Sequence, residues 1–241
     1  MGRIRIAAIA AVAALCAGLA AAPAAAAAAA AQPVIWRSSA QYGTFSADGY
    51  TWSTDFWDMP PGAHQSMWVA GPGSWGTVTT DDNGDAYPDI GWAGGRPLSS
   101  YHLVGTESDS EPPGSGGRWD AAYDIWLNNG NPGANNGYEV MVWTNDHNWN
   151  IGNPIKVVTI DGVRYGFYQR EGGSGPGSWL VRMPGSTHTV TNLSDVISFV
   201  VGYGGNYSGP ADPVVDTVEY GWEISTVTNG QFTITSFSLG T

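Results

Sequence analysis

Tyr138-Glu139-Val140-Met141-Val142-Trp143-Thr144 changes character at every step. On an extended chain successive side chains point to opposite sides of the sheet. Tyr138, Val140 and Val142 therefore share one face, and Glu139, Met141 and Trp143 share the other. Two further runs repeat the pattern. In Ala121–Leu127, Tyr123, Ile125 and Leu127 form an apolar face opposed by Asp124 and Trp126. In Val218–Ser225, Val218, Tyr220, Trp222 and Ile224 form the core set, while Glu219, Gly221 and Glu223 point the other way. Three strands thus carry carboxylates on the face turned away from the core.

Working outward, short runs of the same kind recur at Met67–Ala70, Lys156–Ile160, Arg164–Arg170, Trp179–Met183, Val196–Tyr203 and Phe232–Leu239. Gly and Pro punctuate them, with Asp161-Gly162 and Asn229-Gly230 reading as turns between adjacent runs. Many short strands with turn signals between them predict an all-β, antiparallel sandwich or barrel. One short helix is expected around Ser186–Asp195. Glu107–Gly117 and Glu171–Gly177 read as surface loops that could border a cleft. There is no internal repeat and no long linker, so residues 32–241 are expected to form a single domain.

Residues 1–31 have another character. Arg3 and Arg5 precede an apolar run from Ile6 to Leu19 and an alanine tract after Pro23. A basic start, a short apolar core and small residues read as a secretory signal peptide, which predicts a secreted, extracellular product. A retained membrane helix is the competing reading, because the stretch is long enough to span. The weak apolarity of alanine favours cleavage, after which no membrane partner is expected.

The whole chain carries a formal charge of −12, and losing Arg3 and Arg5 with the leader takes it to −14. Such a surface repels phosphate backbones and anionic lipid, which excludes nucleic acid as a natural partner. The single cysteine, Cys16, lies in the leader, so the mature chain has no disulfide to rely on. Its size can supply a sufficient core. A monomer is expected.

The 12 Trp and 11 Tyr are prominent beside so few charges. Aromatic rings stack on the apolar faces of sugars, but they also fill β cores. A solvated sheet face would carry polar residues opposite the core too, though it would favour Thr, Ser and Lys. Glu-x-Met-x-Trp and Asp-x-Trp fit a sugar-binding groove better, with Trp126, Met141 and Trp143 as lining candidates.

These motifs resemble glycoside hydrolase family 12. Tyr138–Trp143 is similar to that family's nucleophile strand, and Ala122–Leu127 to the strand bearing its auxiliary aspartate. Tyr220-Gly221-Trp222-Glu223 resembles its Gly-aromatic-Glu acid/base motif, and Ile151-Gly152-Asn153-Pro154 its Ile/Val-Gly-x-Pro turn. The likeness runs from Ala121 to Leu239 in the family's order. It implies a jelly roll, an antiparallel two-sheet β-sandwich whose concave sheet forms an open glucan cleft, with Glu139 as nucleophile, Glu223 as acid/base and Asp124 as auxiliary group in a retaining mechanism. Tyr50–Trp57 can be laid on the family's Tyr-x-x-x-Asn-Asn-x-Trp segment. That makes Trp57 a stacking candidate, although it could equally be core, and Thr54 and Asp55 replace the two asparagines.

Glu219 is the rival for the acid role, having the same parity as Glu223. Four residues of extended strand, about 13 Å, would hold it away from the bond that Glu223 serves. Asp81, Asn83 and Asp85 alternate as oxygen ligands do in calcium loops, but Ala86 stands where such loops want Gly, which favours a polar turn. His64, His102, His147 and His188 share no ligand spacing, so neither metal nor cofactor is expected. The resemblance implies an endo-β-1,4-glucanase acting on soluble cellulose, mixed-linkage glucan or xyloglucan. The alternatives are a jelly-roll xylanase with the same chemistry and a non-catalytic glycan-binding protein.

Overall fold

Alternation along three strands decides what enters the core, and the computed structural model shows how they are assembled. It describes residues 32–112, 117–128, 137–170 and 176–241, with all side chains there except those of residues 81–83. Fourteen strands occur in this region. The first seven are β1 (Trp36–Ser38), β2 (Thr44–Ala47), β3 (Tyr50–Ser53), β4 (His64–Gly71), β5 (Ser74–Ala86), β6 (Asp89–Pro97) and β7 (Val104–Ser110). The rest are β8 (Arg118–Asn128), β9 (Tyr138–His147), β10 (Lys156–Ile160), β11 (Val163–Arg170), β12 (Gly177–Arg182), β13 (His188–Asn192) and β14 (Val214–Gly240), with one α-helix, α1 (Leu193–Tyr203), before the last. No described helix is long and apolar enough to cross a membrane.

The strands form a two-sheet sandwich. The cleft sheet runs β2-β3-β6-β14-β8-β9-β12-β11-β10, and the back sheet runs β1-β4-β5-β14-β7-β13. Strand β14 serves both sheets. Its first half pairs with β6 and β8, and its second half with β5 and β7. The expected core faces meet between the layers: Tyr123, Val140, Val142, Tyr220 and Trp222 pack in one buried cluster with Trp75, Phe232 and Ile234. Every pairing is antiparallel except β9 with β12, which is parallel.

Several local expectations need correction. Val196–Tyr203 is helix, not strand, and the helix begins at Leu193 after β13 instead of lying around Ser186–Asp195. Its β-branched residues read as a strand, yet Leu193, Val196, Ile197 and Val200 are buried at helical spacing. The Asn192 side chain accepts from the Asp195 N–H and caps it. Asp161-Gly162 does close a two-residue hairpin, both residues having positive φ. Asn229-Gly230 does not. The chain keeps its direction along β5 through this point, so the positive φ of Asn229 makes a bulge within β14. The Asp81–Asp85 backbone lies in β5 and is not a turn, and no described group of His, Cys, Asp or Glu could hold a metal.

The expected loop at Glu107–Gly117 starts as strand, since Glu107–Ser110 closes β7; residues 113–116 lie outside the described region. Residues 171–175 of the other expected loop also lie outside it, and Gly177 already belongs to β12.

Strand β7 carries two carboxyls into the core. Glu107 accepts from the hydroxyls of Tyr123 and Thr189, and Asp109 accepts from the Tyr220 hydroxyl at 2.6 Å. Burial pushes Glu107 up to about 7 and Asp109 up to about 6, from ordinary values of 4.5 and 3.8. The folded state thus holds these protons more tightly than the unfolded chain. Their contribution to stability is full below about pH 4 and is lost as pH rises through 6 to 7. Melting temperature, followed by circular dichroism at constant ionic strength, should fall by roughly 5–15 °C between pH 5 and pH 8. Glu107→Gln should flatten that slope. A melting temperature that rises over the same range would refute the assignment.

Candidate active site

Cross-strand register turns the cleft face into rows of side chains. One row runs Arg170–Gly177–Glu139–Trp126–Thr217 across β11, β12, β9, β8 and β14. The next runs Tyr168–Trp179–Met141–Asp124–Glu219–Gly91 and reaches β6. Glu223 lies further along β14, paired with Asp120. These residues share the parity that points away from the core, and Arg170, Glu139, Trp126, Met141, Asp124, Glu219 and Glu223 among them line a cavity of about 490 Å³.

Glu139, Glu223, Asp124, Trp126, Met141 and Trp57 all line this cavity. Trp57 is 43% exposed, so it belongs to the cleft and not to the core. The segment leading to it alternates strictly. Thr54 and Phe56 are fully buried, while Asp55 and Trp57 face the cavity. The Thr54 hydroxyl donates to the Ala40 carbonyl at 2.8 Å and accepts from the Gly43 N–H at 2.7 Å, which fixes the turn that presents Asp55. Trp143 shares the face of Glu139 and Met141 but does not line this cavity. It is 2% exposed and packs beside Met141 on that face, stacked on Trp179 at 5.9 Å and against Trp149 at 5.7 Å.

Sequence reasoning passed over four cavity residues: Arg170, Asp55, Tyr87 and, as a lining group, Glu219. The Tyr87 hydroxyl donates to the Ala122 carbonyl at 3.0 Å and is locked in place. Distance along the strand does not remove Glu219 from the cleft, since it lines the same cavity as Glu223. Parity with Tyr168 could have flagged Arg170, but its partner could not be read without the pairing of β9, β12 and β11.

The charges sort these groups. Burial pushes Glu223 up to about 7, and the nearby charge of Glu139 is its strongest electrostatic reason. Glu219 is also pushed to about 7 by burial, but Asp55 is its foremost charged neighbour and Glu139 a lesser one. Asp124 lies well above the usual carboxylate range through burial, then through Glu139, Glu219 and Glu223. Burial raises Glu139 too, and there the Arg170 guanidinium pulls the other way through an ion pair. The cleft therefore sets one carboxyl beside a cation, among acids whose protons are held more tightly by burial and by one another's charge. Such an arrangement can supply an anion to one side of a bond and a proton to the other.

No family model matches the chain. It is 30% identical over 126 residues to a protein of Phytophthora nicotianae (strain INRA-310) named an inactive glycoside hydrolase, a match covering 49% of this chain and 50% of that protein. The chain thus matches about half the length of this curated relative. Solved structures align more fully. The xyloglucanase domain of NopAA, a type three effector from Sinorhizobium fredii in complex with cellobiose, is 28% identical with a TM-score of 0.74, covering 85% of this chain and 98% of that one. The family 12 xyloglucanase from Bacillus licheniformis has a TM-score of 0.72 at 21% identity, over 85% and 99% of the two chains. Endoglucanase 3 of Trichoderma harzianum, from family 12, has 0.73 at 21%, over 85% and 96%. The fold is the jelly-roll sandwich of glycoside hydrolase family 12, as the motif resemblance implies.

Proposed function

We propose that this family-12-like chain is a secreted, retaining endo-β-1,4-glucanase, with Glu139 as nucleophile and Glu223 as acid/base. One observation carries the reading: a cation-paired carboxylate and a carboxyl that keeps its proton near neutrality share one cavity on the cleft sheet. Glu139 attacks the anomeric carbon while Glu223 protonates the departing glycosidic oxygen. Glu223, now an anion, then draws a proton from water, which releases the sugar from Glu139 with its configuration restored. Its raised pKa suits the first role, and the loss of Glu139's charge in the glycosyl-enzyme lowers it for the second. Asp124, buried near Glu139 and pushed well above the usual carboxylate range, is suited to share a proton with that carboxylate.

Trp57 and Trp126 offer ring faces to sugars, and the cleft's many carboxyls disfavour anionic polysaccharides. A second hollow of about 300 Å³ shares Asp55 and Glu219 with the first and continues over Thr51, Ser53 and Gly91. A trough of that extent suits several consecutive units of a chain, hence internal cleavage. The xyloglucanases and endoglucanase of similar fold make cellulose-like and xyloglucan backbones the first substrates to test.

Purified protein should release reducing ends from soluble β-glucans, and fresh hydrolysate should show the β-anomer first by proton NMR. An initial α-anomer would exclude direct attack by Glu139. The relative named inactive favours a second reading, a glycan-binding protein without turnover. Saturable glucan binding with no reducing-sugar release from any glucan or xylan would establish that one.

A further inference from the structure

Arg170 stands two strands from Glu139, with Gly177 between them in register. Two strand spacings are about 9.6 Å, a gap that only a long side chain crosses, and only over an unobstructed middle strand. Gly177 provides that opening. A Cβ there would sit 3.2 Å from the Glu139 carbonyl oxygen and 3.3 Å from its Oε2. Over this gap the Arg170 guanidinium donates to Glu139 Oε2.

The arginine is held independently of that contact. Its guanidinium carbon lies 5.1 Å from the centre of the Trp179 ring, within cation–π range. The Asn206 amide donates to the Arg170 carbonyl at 2.6 Å and to the Gly177 carbonyl at 3.2 Å. The same amide accepts from the hydroxyl of Tyr138, the residue before Glu139. One asparagine after α1 therefore ties together the ends of β11, β12 and β9 at the point where the ion pair forms.

We propose that Arg170 is the positioning residue of the nucleophile: reaching over Gly177 from its seat on Trp179, it keeps the Glu139 carboxylate ionised and aimed into the cleft. The inference rests on the glucanase reading for its catalytic meaning but not for its test. The groups that respond to the Glu139 charge are Asp120 and Asp124 on β8 and Glu219 and Glu223 on β14, and Asp55 and Tyr87 line the same cavity; all are acids. Without the arginine, nothing in this set opposes protonation of Glu139. It would then compete with Glu223 for the same proton, and the division between nucleophile and acid would blur.

Carbon-13 NMR titration of the glutamate carboxyls, with the Glu139 signal assigned by its loss in Glu139→Gln, tests this in the free protein. In Arg170→Met, Glu139 should titrate higher by about one unit or more. In Arg170→Lys, which keeps the charge without the fork, it should stay near the wild type. On an activated aryl cellobioside, Arg170→Met should move the acidic limb of kcat upward and lower kcat about tenfold or more, with KM changed little. An unmoved Glu139 titration in folded Arg170→Met would overturn the proposal. If Arg170→Met does not fold, Arg170→Lys decides: a preserved Glu139 titration supports the proposal, and one raised as far as burial alone dictates overturns it. A wild type that hydrolyses no glucan defeats the glucanase reading and leaves the titration to judge Arg170 separately.

Discussion

Glu139→Gln should lower turnover by at least about three orders of magnitude while leaving the fold and glucan binding close to wild type. The amide keeps the shape of the carboxyl and can still accept from Arg170, but it cannot form a glycosyl ester. Neutralising position 139 also removes the strongest electrostatic reason for the raised pKa of Glu223. The variant should therefore show Glu223 titrating below its wild-type value of about 7, a change visible by NMR in protein that no longer turns over. The expected signature is a pair of results: lost catalysis on both polymer and aryl glycoside, and a lowered Glu223 titration. A variant retaining a tenth of the wild-type rate would remove Glu139 from the nucleophile's role.

The faces of β8, β9 and β14 were legible because both sides of each strand have work to do. One side must fill the space between the sheets, and parity separates it from the other without any knowledge of pairing. The helix was hidden for a local reason. Val196, Ile197, Val200 and Val201 carry strand propensity, and only the burial of one helical face with the Asn192 cap outweighs it. At Asn229-Gly230 the dipeptide prescribes a left-handed residue, but such a residue serves a bulge as well as a hairpin. Which of the two forms depends on whether β5 continues alongside.

Arg170 was illegible in another sense. Its role depends on Gly177 standing opposite Glu139 in a parallel pairing between strands about forty residues apart, a relation no local pattern encodes. Glu219 was set behind Glu223 as the acid by the Gly-Trp-Glu resemblance and by strand length. Both glutamates line one cavity, so distance along one strand does not by itself separate their roles.

That leaves two same-face glutamates in one cavity, each pushed to about 7, and the acid/base role must be divided between them by experiment. Their surroundings differ where it matters. Glu223 responds first to Glu139, whereas Glu219 responds first to Asp55 at the junction with the second hollow. An acid/base must change its affinity for a proton when the nucleophile loses its charge, so the coupling to Glu139 selects Glu223. Protonation matters most for a poor leaving group. Glu223→Ala should accordingly cut activity on polymeric glucan by about 10²–10⁴-fold, yet spare glycosylation by an aryl cellobioside whose phenolate departs unaided. The glycosyl-enzyme should then accumulate, and azide, a small nucleophile that needs no base, should release it as the β-glycosyl azide. Glu219→Ala should show no azide rescue and should act mainly on KM, because Glu219 borders the sugar trough and lacks the primary coupling to the nucleophile. If azide rescues Glu219→Ala and leaves Glu223→Ala unaffected, the two residues exchange roles, and proximity in the cross-strand rows outweighs charge coupling in choosing the acid.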